Sequence, residues 1–302
     1  MSTLRQHLVD YLALRRSLGY KLVTQERDLR SFVAFAEQAG ADTITTEFAL
    51  DWARQPAWTQ PIRWARKLST ARGFARYLQT LDPTTAVPPA NVLRIPHYQR
   101  PTPYLYSEAD IRRLMAAARA LVPPLRAATT TTLIGLLVVT GMRISEVTRL
   151  DRDDVDLAGG LLTVHASKFG KSRLIVCQPS TVQALRAYSR LRDELCPPSA
   201  TPSFFVWPHG RRANPQTTRL MFRKLCDRAG LRPQSPGGRP PRLHDFRHSL
   251  VVATILDWYR DGMDVEPRMP ALSSYLGHCN PANTYWYYSD SWVIPMPAPS
   301  CA

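Results

Sequence analysis

Between Asp82 and Pro103 the chain carries Pro83, Pro88, Pro89, Pro96, Pro101 and Pro103. A proline donates no backbone N–H and its ring clashes with the preceding helical turn, so neither a helix nor a central strand runs through that density. The stretch predicts a linker over 83–103 in extended or polyproline geometry, decorated by His97, Tyr98 and Arg100. It divides the 302 residues into a small unit, 1–82, and a larger one, 104–302, each long enough to bury a core.

The small unit reads as helical. Leu4, Leu8, Tyr11, Leu12 and Leu18 recur at helical spacing over 4–20 and stop at Gly19. Thr24 is placed to cap a second helix over 24–39, with Leu29, Phe32, Val33 and Phe35 inward and Gly40 as its stop. Thr46 opens a short third helix. A fourth, over 59–81, sets Arg63, Arg66, Lys67, Arg72 and Arg76 beside an apolar side of Ile62, Leu68, Phe74, Tyr77 and Leu78. That basic face is either the solvated side of a bundle or a clamp on a phosphate backbone, and charge alone does not separate the two.

The larger unit mixes periods. Ser107 caps a helix bearing Ile111, Leu114 and Met115, and a long buried helix over 125–140 ends at Gly141, just before MRISEVTRL. LLTVHASKFGKSRLIV, residues 161–176, reads as two β-rich runs around a glycine-containing turn, a hairpin with Lys168 and Lys171 near its tip. Helices follow from Ser180 to Leu195 and from Asn214 to Gly230. A loop over 233–242, expected to be flexible, delivers His244. The predicted fold is mainly α with a small β-hairpin or sheet: a helical N-terminal domain joined to a mixed α/β domain.

A formal charge of +15, carried mostly by arginine, makes nucleic acid the first partner to test. Cys177, Cys196, Cys226, Cys279 and Cys301 are scattered, with no CxxC pair, so neither a disulfide framework nor a zinc site is supported. A reducing compartment fits. No signal-peptide core opens the chain, and the apolar run Leu133–Val139 is too short to span a bilayer. The expectation is a soluble cytoplasmic protein without membrane contact.

The chemistry gathers in His244–Tyr288. There His244, Arg247 and His278 flank a hydrophobic helix of Leu250, Val251, Ile255 and Trp258, and Tyr285, Tyr287 and Tyr288 follow. Arginine forks bind phosphate at any working pH, and a phenol can form a covalent intermediate. Together they suggest a phosphodiester gripped by arginines and attacked by a tyrosine. Taken singly, each residue has a plainer reading: a lone arginine is usually an ion-pair partner, and a lone histidine such as His248 a satisfied core group. His244–Asp245 also suits a metal-dependent phosphohydrolase, but the further ligands such a site needs are not convincingly placed. Helical geometry puts Tyr285 and Tyr288 on one face and Tyr287 on another, without choosing among them.

TGMRISEVTRL (140–150), SKFGKSR (167–173), HDFRH (244–248) and LGHCNPANTYWYY (276–288), in that order, closely resemble the tyrosine recombinase, or phage integrase, family. The likeness covers roughly the last two thirds of the chain; the helical unit and linker resemble the family's DNA-clamping core-binding domain less specifically. The resemblance implies Arg143 and Arg247 as the arginines on the scissile phosphate. It implies His244 in proton transfer, His278 as a donor to a phosphate oxygen, and Lys168 rather than Lys171 as the acid for the 5′-hydroxyl. It selects Tyr287, nine residues after His278, as the nucleophile of a 3′-phosphotyrosine link, with no metal, ATP or other cofactor. Glu146 resembles the supporting carboxylate. Arg63, Arg66, Lys67, Arg72, Lys171 and Arg173 are expected on DNA.

The implied activity is site-specific recombination for a mobile element, integration or transposition. The implied assembly is a dimer to tetramer of this chain on double-stranded DNA, with or without partner recombinases, at the nucleoid. A type IB topoisomerase-like relaxer and a catalytically silent DNA-binding regulator are the alternatives. One departure from the family concerns coupling between protomers. After Tyr287, Pro295, Pro297 and Pro299 break up the segment where the family often has a docking helix, so an extended segment around Trp292, Val293 and Ile294 is expected instead.

Overall fold

In the N-terminal part, helix α1 (Thr3–Ser17) buries Leu4, Leu8, Tyr11 and Leu12. Helix α2 (Val23–Ala39) turns Leu29, Phe32 and Val33 inward and ends where Gly40 takes φ 63°, a conformation glycine adopts without Cβ strain. Thr24 does not cap it; the helix starts one residue earlier, behind Leu22. Helix α3 (Thr46–Ala53) is capped by Thr45, whose hydroxyl accepts from the Phe48 amide at 3.1 Å. Helix α4 (Pro61–Gln79) begins with a proline at its first turn, where no N–H is needed. The four pack around Phe32, Trp52, Leu68 and Phe74, with Phe32 and Trp52 edge to face at 4.9 Å.

This is a computed structural model, and it describes residues 3–41, 43–93, 102–165, 172–196, 201–235, 238–277, 280, 282, 284 and 285. The chain divides into two compact units, Met1–Arg100 and Pro101–Ala302. Within the expected 83–103 linker, the described residues up to Leu93 hold to the first unit. Prolines lack a donor but keep their carbonyls: Arg72 donates to Pro88 O at 2.6 Å and Pro89 O at 2.8 Å, Ala86 N donates to Ile44 O, and Val87 and Leu93 rest on the helical core. On the other side, Tyr104 and Tyr106 are buried in the core of the second unit.

That unit opens with α5 (Glu108–Arg119), held by a reciprocal capping box: Asp110 N to Ser107 Oγ at 3.1 Å, Ser107 N to Asp110 Oδ2 at 3.0 Å. Helix α6 (Pro124–Thr140) buries Leu133, Ile134, Leu136 and Leu137 because α5, α8 (Pro179–Leu195) and α10 (Asp245–Arg260) all pack against it. The one-turn α7 (Ile144–Val147) follows. The hairpin forms as β2 (Leu161–Val164) against β3 (Arg173–Val176), antiparallel, with Val164 opposite Arg173. A two-residue strand, β1 (Val155–Asp156), joins β2 on its other edge; it is too short to leave a period in the sequence.

Helix α9 (Pro215–Arg228) has Asn214 as its cap, accepting from the Thr217 amide. The 233–242 loop is not loose at Gln234, whose amide group exchanges hydrogen bonds with both main-chain groups of Leu105. Helix α11 (Met269–Leu276) packs on α10 through Val251, Ile255, Met269 and Leu276. Among the described residues no helix is long and apolar enough to cross a membrane.

Candidate active site

Gly141 closes α6 with φ 60°, and a Cβ there would lie 2.8 Å from Leu250 Cδ2. Only glycine lets the chain turn this close to α10. Two residues on, Arg143 becomes the N-cap of α7: its amide donates to Glu146 Oε2 at 2.9 Å, and its Nη1 to Glu146 Oε1 at 2.7 Å. The i, i+3 spacing in RISE thus holds an arginine by its own helix turn.

Arg247, in the first turn of α10, is 1% exposed. Its Nη1 donates to Gly141 O at 3.0 Å and its Nη2 to Leu276 O. Arg143 Nη2 reaches the neighbouring carbonyl, Gly277 O, at 3.3 Å. The two arginines therefore meet at the C-terminal ends of α6 and α11, where carbonyls carry partial negative charge and favour cations. Gly277, the cap of α11, is the residue before His278.

Glu146 is buried and serves a second guanidinium. Arg173, at the start of β3, donates Nη2 to Oε2 at 2.8 Å and Nη1 to Oε1 at 3.2 Å. Burial alone would raise the Glu146 pKa; the Arg173 and Arg143 contacts outweigh it and hold the carboxyl at about 2. Arg173, expected on DNA, is instead 13% exposed at its side chain and bound to a carboxylate.

His244 stands immediately before α10, its ring edge-on to His248 at 4.8 Å. Desolvation by the surrounding protein, then the charges of Arg247, Arg143 and Arg242, push its pKa down to about 4. The side chain keeps solvent contact, and with its pKa lowered the imidazole is neutral at pH 7. Asp245 beside it is buried and accepts from the Arg242 amide and guanidinium. It is thus committed to anchoring the start of α10. Tyr106, stacked on Phe246 at 4.2 Å, braces the same turn, as does Ser249, whose hydroxyl accepts from the Tyr106 amide.

The second unit thus brings Arg143, Glu146, Arg247 and His244 together. Lys168, Lys171, His278 and Tyr287 lie outside the described residues, while Tyr285 packs against the α10–α11 cluster.

In the first unit, Arg66 is exposed, Arg63 is exposed beside Asp28 at 3.4 Å, and Arg72 holds the Pro88 and Pro89 carbonyls. Lys67 departs from expectation. It is buried, donates to Trp52 O and Gln55 O at 2.8 Å each, and sits 4.1 Å over the Trp52 ring, so it braces the helical core instead of facing a phosphate. Helical spacing put it beside Arg63 and Arg66, but it falls on the inner edge of α4.

The phage integrase family profile matches residues 105–292. The chain belongs to the phage integrase family of tyrosine recombinases. A putative integrase/recombinase of Sinorhizobium fredii, y4rB, is 41% identical over 297 residues, 96% of this chain and 94% of the relative. Tyrosine recombinase XerC of Azotobacter vinelandii is 30% identical over 288 residues, 92% and 88% of the two chains. Among solved structures, the Tn1549 transposon integrase in complex with a circular intermediate DNA superposes with TM-score 0.67 at 17% identity, covering 96% of each chain. A lambda integrase dimer bound to a core site gives 0.65 at 16% identity, covering 92% and 96%. Both share the fold of this tyrosine recombinase, helical in its N-terminal part and mixed α/β in its larger second part.

Proposed function

We propose that this recombinase cleaves and rejoins double-stranded DNA at specific sites, with Tyr287 attacking the scissile phosphate. The phenol oxygen forms the P–O bond of a 3′-phosphotyrosine, and the 5′-oxygen leaves with a proton from Lys168. Arg143, Arg247 and His278 hold the non-bridging oxygens, whose negative charge grows in the transition state. Neutral His244 takes up the proton that the Tyr287 phenol loses as it attacks. Rejoining is the same step in reverse with a new 5′-hydroxyl, so the phosphodiester energy is kept in the protein–DNA bond. The observation that supports this reading best is the meeting of Arg143 and Arg247 on adjacent carbonyls at the end of α11, one residue before His278.

The basic charge and the exposed Arg66 on α4 support backbone contacts by the helical unit. Exchange between two duplexes calls for more than one protomer, so the acting form is a dimer to tetramer on DNA in the cytoplasm. Trapping tests the proposal. Wild-type protein with EDTA and no nucleotide, incubated with fragmented duplex DNA carrying nicks, becomes covalently attached, and sequencing the attached DNA gives the site. Tyr287→Phe yields no adduct. Adducts that need a divalent ion, or that persist in Tyr287→Phe, would contradict it.

A further inference from the structure

Glu146 poses an electrostatic problem. A buried carboxylate paired one to one with Arg143 would cancel the charge that Arg143 is placed to offer a phosphate. We propose that Arg173 is a positioning residue of the phosphate grip, sharing Glu146 with Arg143 so that the cluster keeps one net positive charge. The inference rests on the cleavage reading above. The charges are +1 for Arg143, −1 for Glu146 and +1 for Arg173, a sum of +1, to which Arg247 adds its own.

Geometry points the same way. Arg173 meets both oxygens of Glu146, at 3.2 and 2.8 Å, while Arg143 takes Oε1 at 2.7 Å. The carboxylate is thus saturated and fixed between α7 and β3. Arg173 also lies against the chain that leads to His278: a Cβ on Gly277 would be 2.9 Å from its Nη1 and 3.3 Å from its Cζ. One guanidinium therefore binds the hairpin strand to the turn of the catalytic arginine and lies beside the end of α11. The balance does not titrate in the working range, because Glu146 stays ionised down to a pH of about 2. A surface arginine on DNA would need none of these contacts.

The test is the rate of covalent adduct formation at saturating protein, on nicked duplex of the sequence recovered from wild-type adducts. Arg173→Gln leaves Arg143 and Glu146 to cancel, and the rate falls about a hundredfold, the scale of losing one positioned donor. Adding Glu146→Gln restores the +1 sum, and its amide oxygen can still accept from the Arg143 amide; the double variant cleaves at least tenfold faster than Arg173→Gln alone. Arg173→Lys, which keeps the charge but not the fork, also stays at least tenfold faster than Arg173→Gln. A mere fold pin predicts instead that the double variant is no faster than the single one and that Lys is as slow as Gln; either result overturns the proposal. Arg173→Gln cleaving at the wild-type rate overturns it as well. Absence of any wild-type adduct would count against the cleavage reading itself, which separates the two failures.

Discussion

Arg247 and Arg143 have different second jobs, and their variants should differ accordingly. Arg143 is 20% exposed and pairs with Glu146, whereas Arg247 is buried and satisfies the carbonyls of Gly141 and Leu276. Arg143→Ala should lower adduct formation by about a hundredfold or more with DNA binding largely retained. Arg247→Ala should do the same and also cost about 1–3 kcal/mol in urea unfolding, because it leaves buried acceptors without a donor. His244 sets a pH dependence. Its folded pKa lies below the ordinary histidine value, so between pH 6.5 and about 4 the unfolded chain binds the extra proton and stability falls as pH falls. Melting temperature should drop over that window, less steeply in His244→Gln, whereas adduct formation should fall only as pH approaches about 4, where the folded imidazole loses its acceptor. Arg143 with Glu146, and His244 with Arg247, were legible because the short motifs TGMRISEVTRL and HDFRH resemble those of the family. Arg173 and Gly277 were not: their partners Glu146 and Arg143 lie 27 and 134 residues away, and no local period records such contacts.

Among the elements, the site is built at helix ends. Gly141 and Gly277, both in left-handed conformation, let α6 and α11 stop where the arginines need carbonyls. Gly277→Ala would strain that conformation by about 1 kcal/mol and push on the Arg173 guanidinium. The expected outcome is a small loss of stability but at least a tenfold loss of adduct formation; equal adduct formation in Gly277→Ala would show that the end of α11 tolerates displacement. Helices and their stops were readable because glycine, proline and Asx or Ser/Thr caps punctuate the chain, as at Gly40, Gly141, Ser107 and Asn214. What escaped was packing-dependent. Strand β1 is two residues long, and the proline stretch looked free because its partners, Ile44 and Arg72, belong to earlier elements.

For the whole molecule, the +15 charge is not spread evenly in its use. Arg66 is exposed and Lys67, its neighbour, is buried against Trp52. Arg66→Ala should weaken DNA binding alike on all sequences and reduce the slope of log affinity against log salt by about one. Lys67→Met should leave that slope unchanged while destabilising the helical unit by about 1–3 kcal/mol, since two carbonyls lose their donor. The central claim, a phenol attacking phosphorus beside the two arginines, is tested most directly by digesting the covalent complex and locating the nucleotide-bearing residue by mass spectrometry. The account predicts the nucleotide on Tyr287. Finding it on Tyr285, Tyr288 or any other side chain would contradict it.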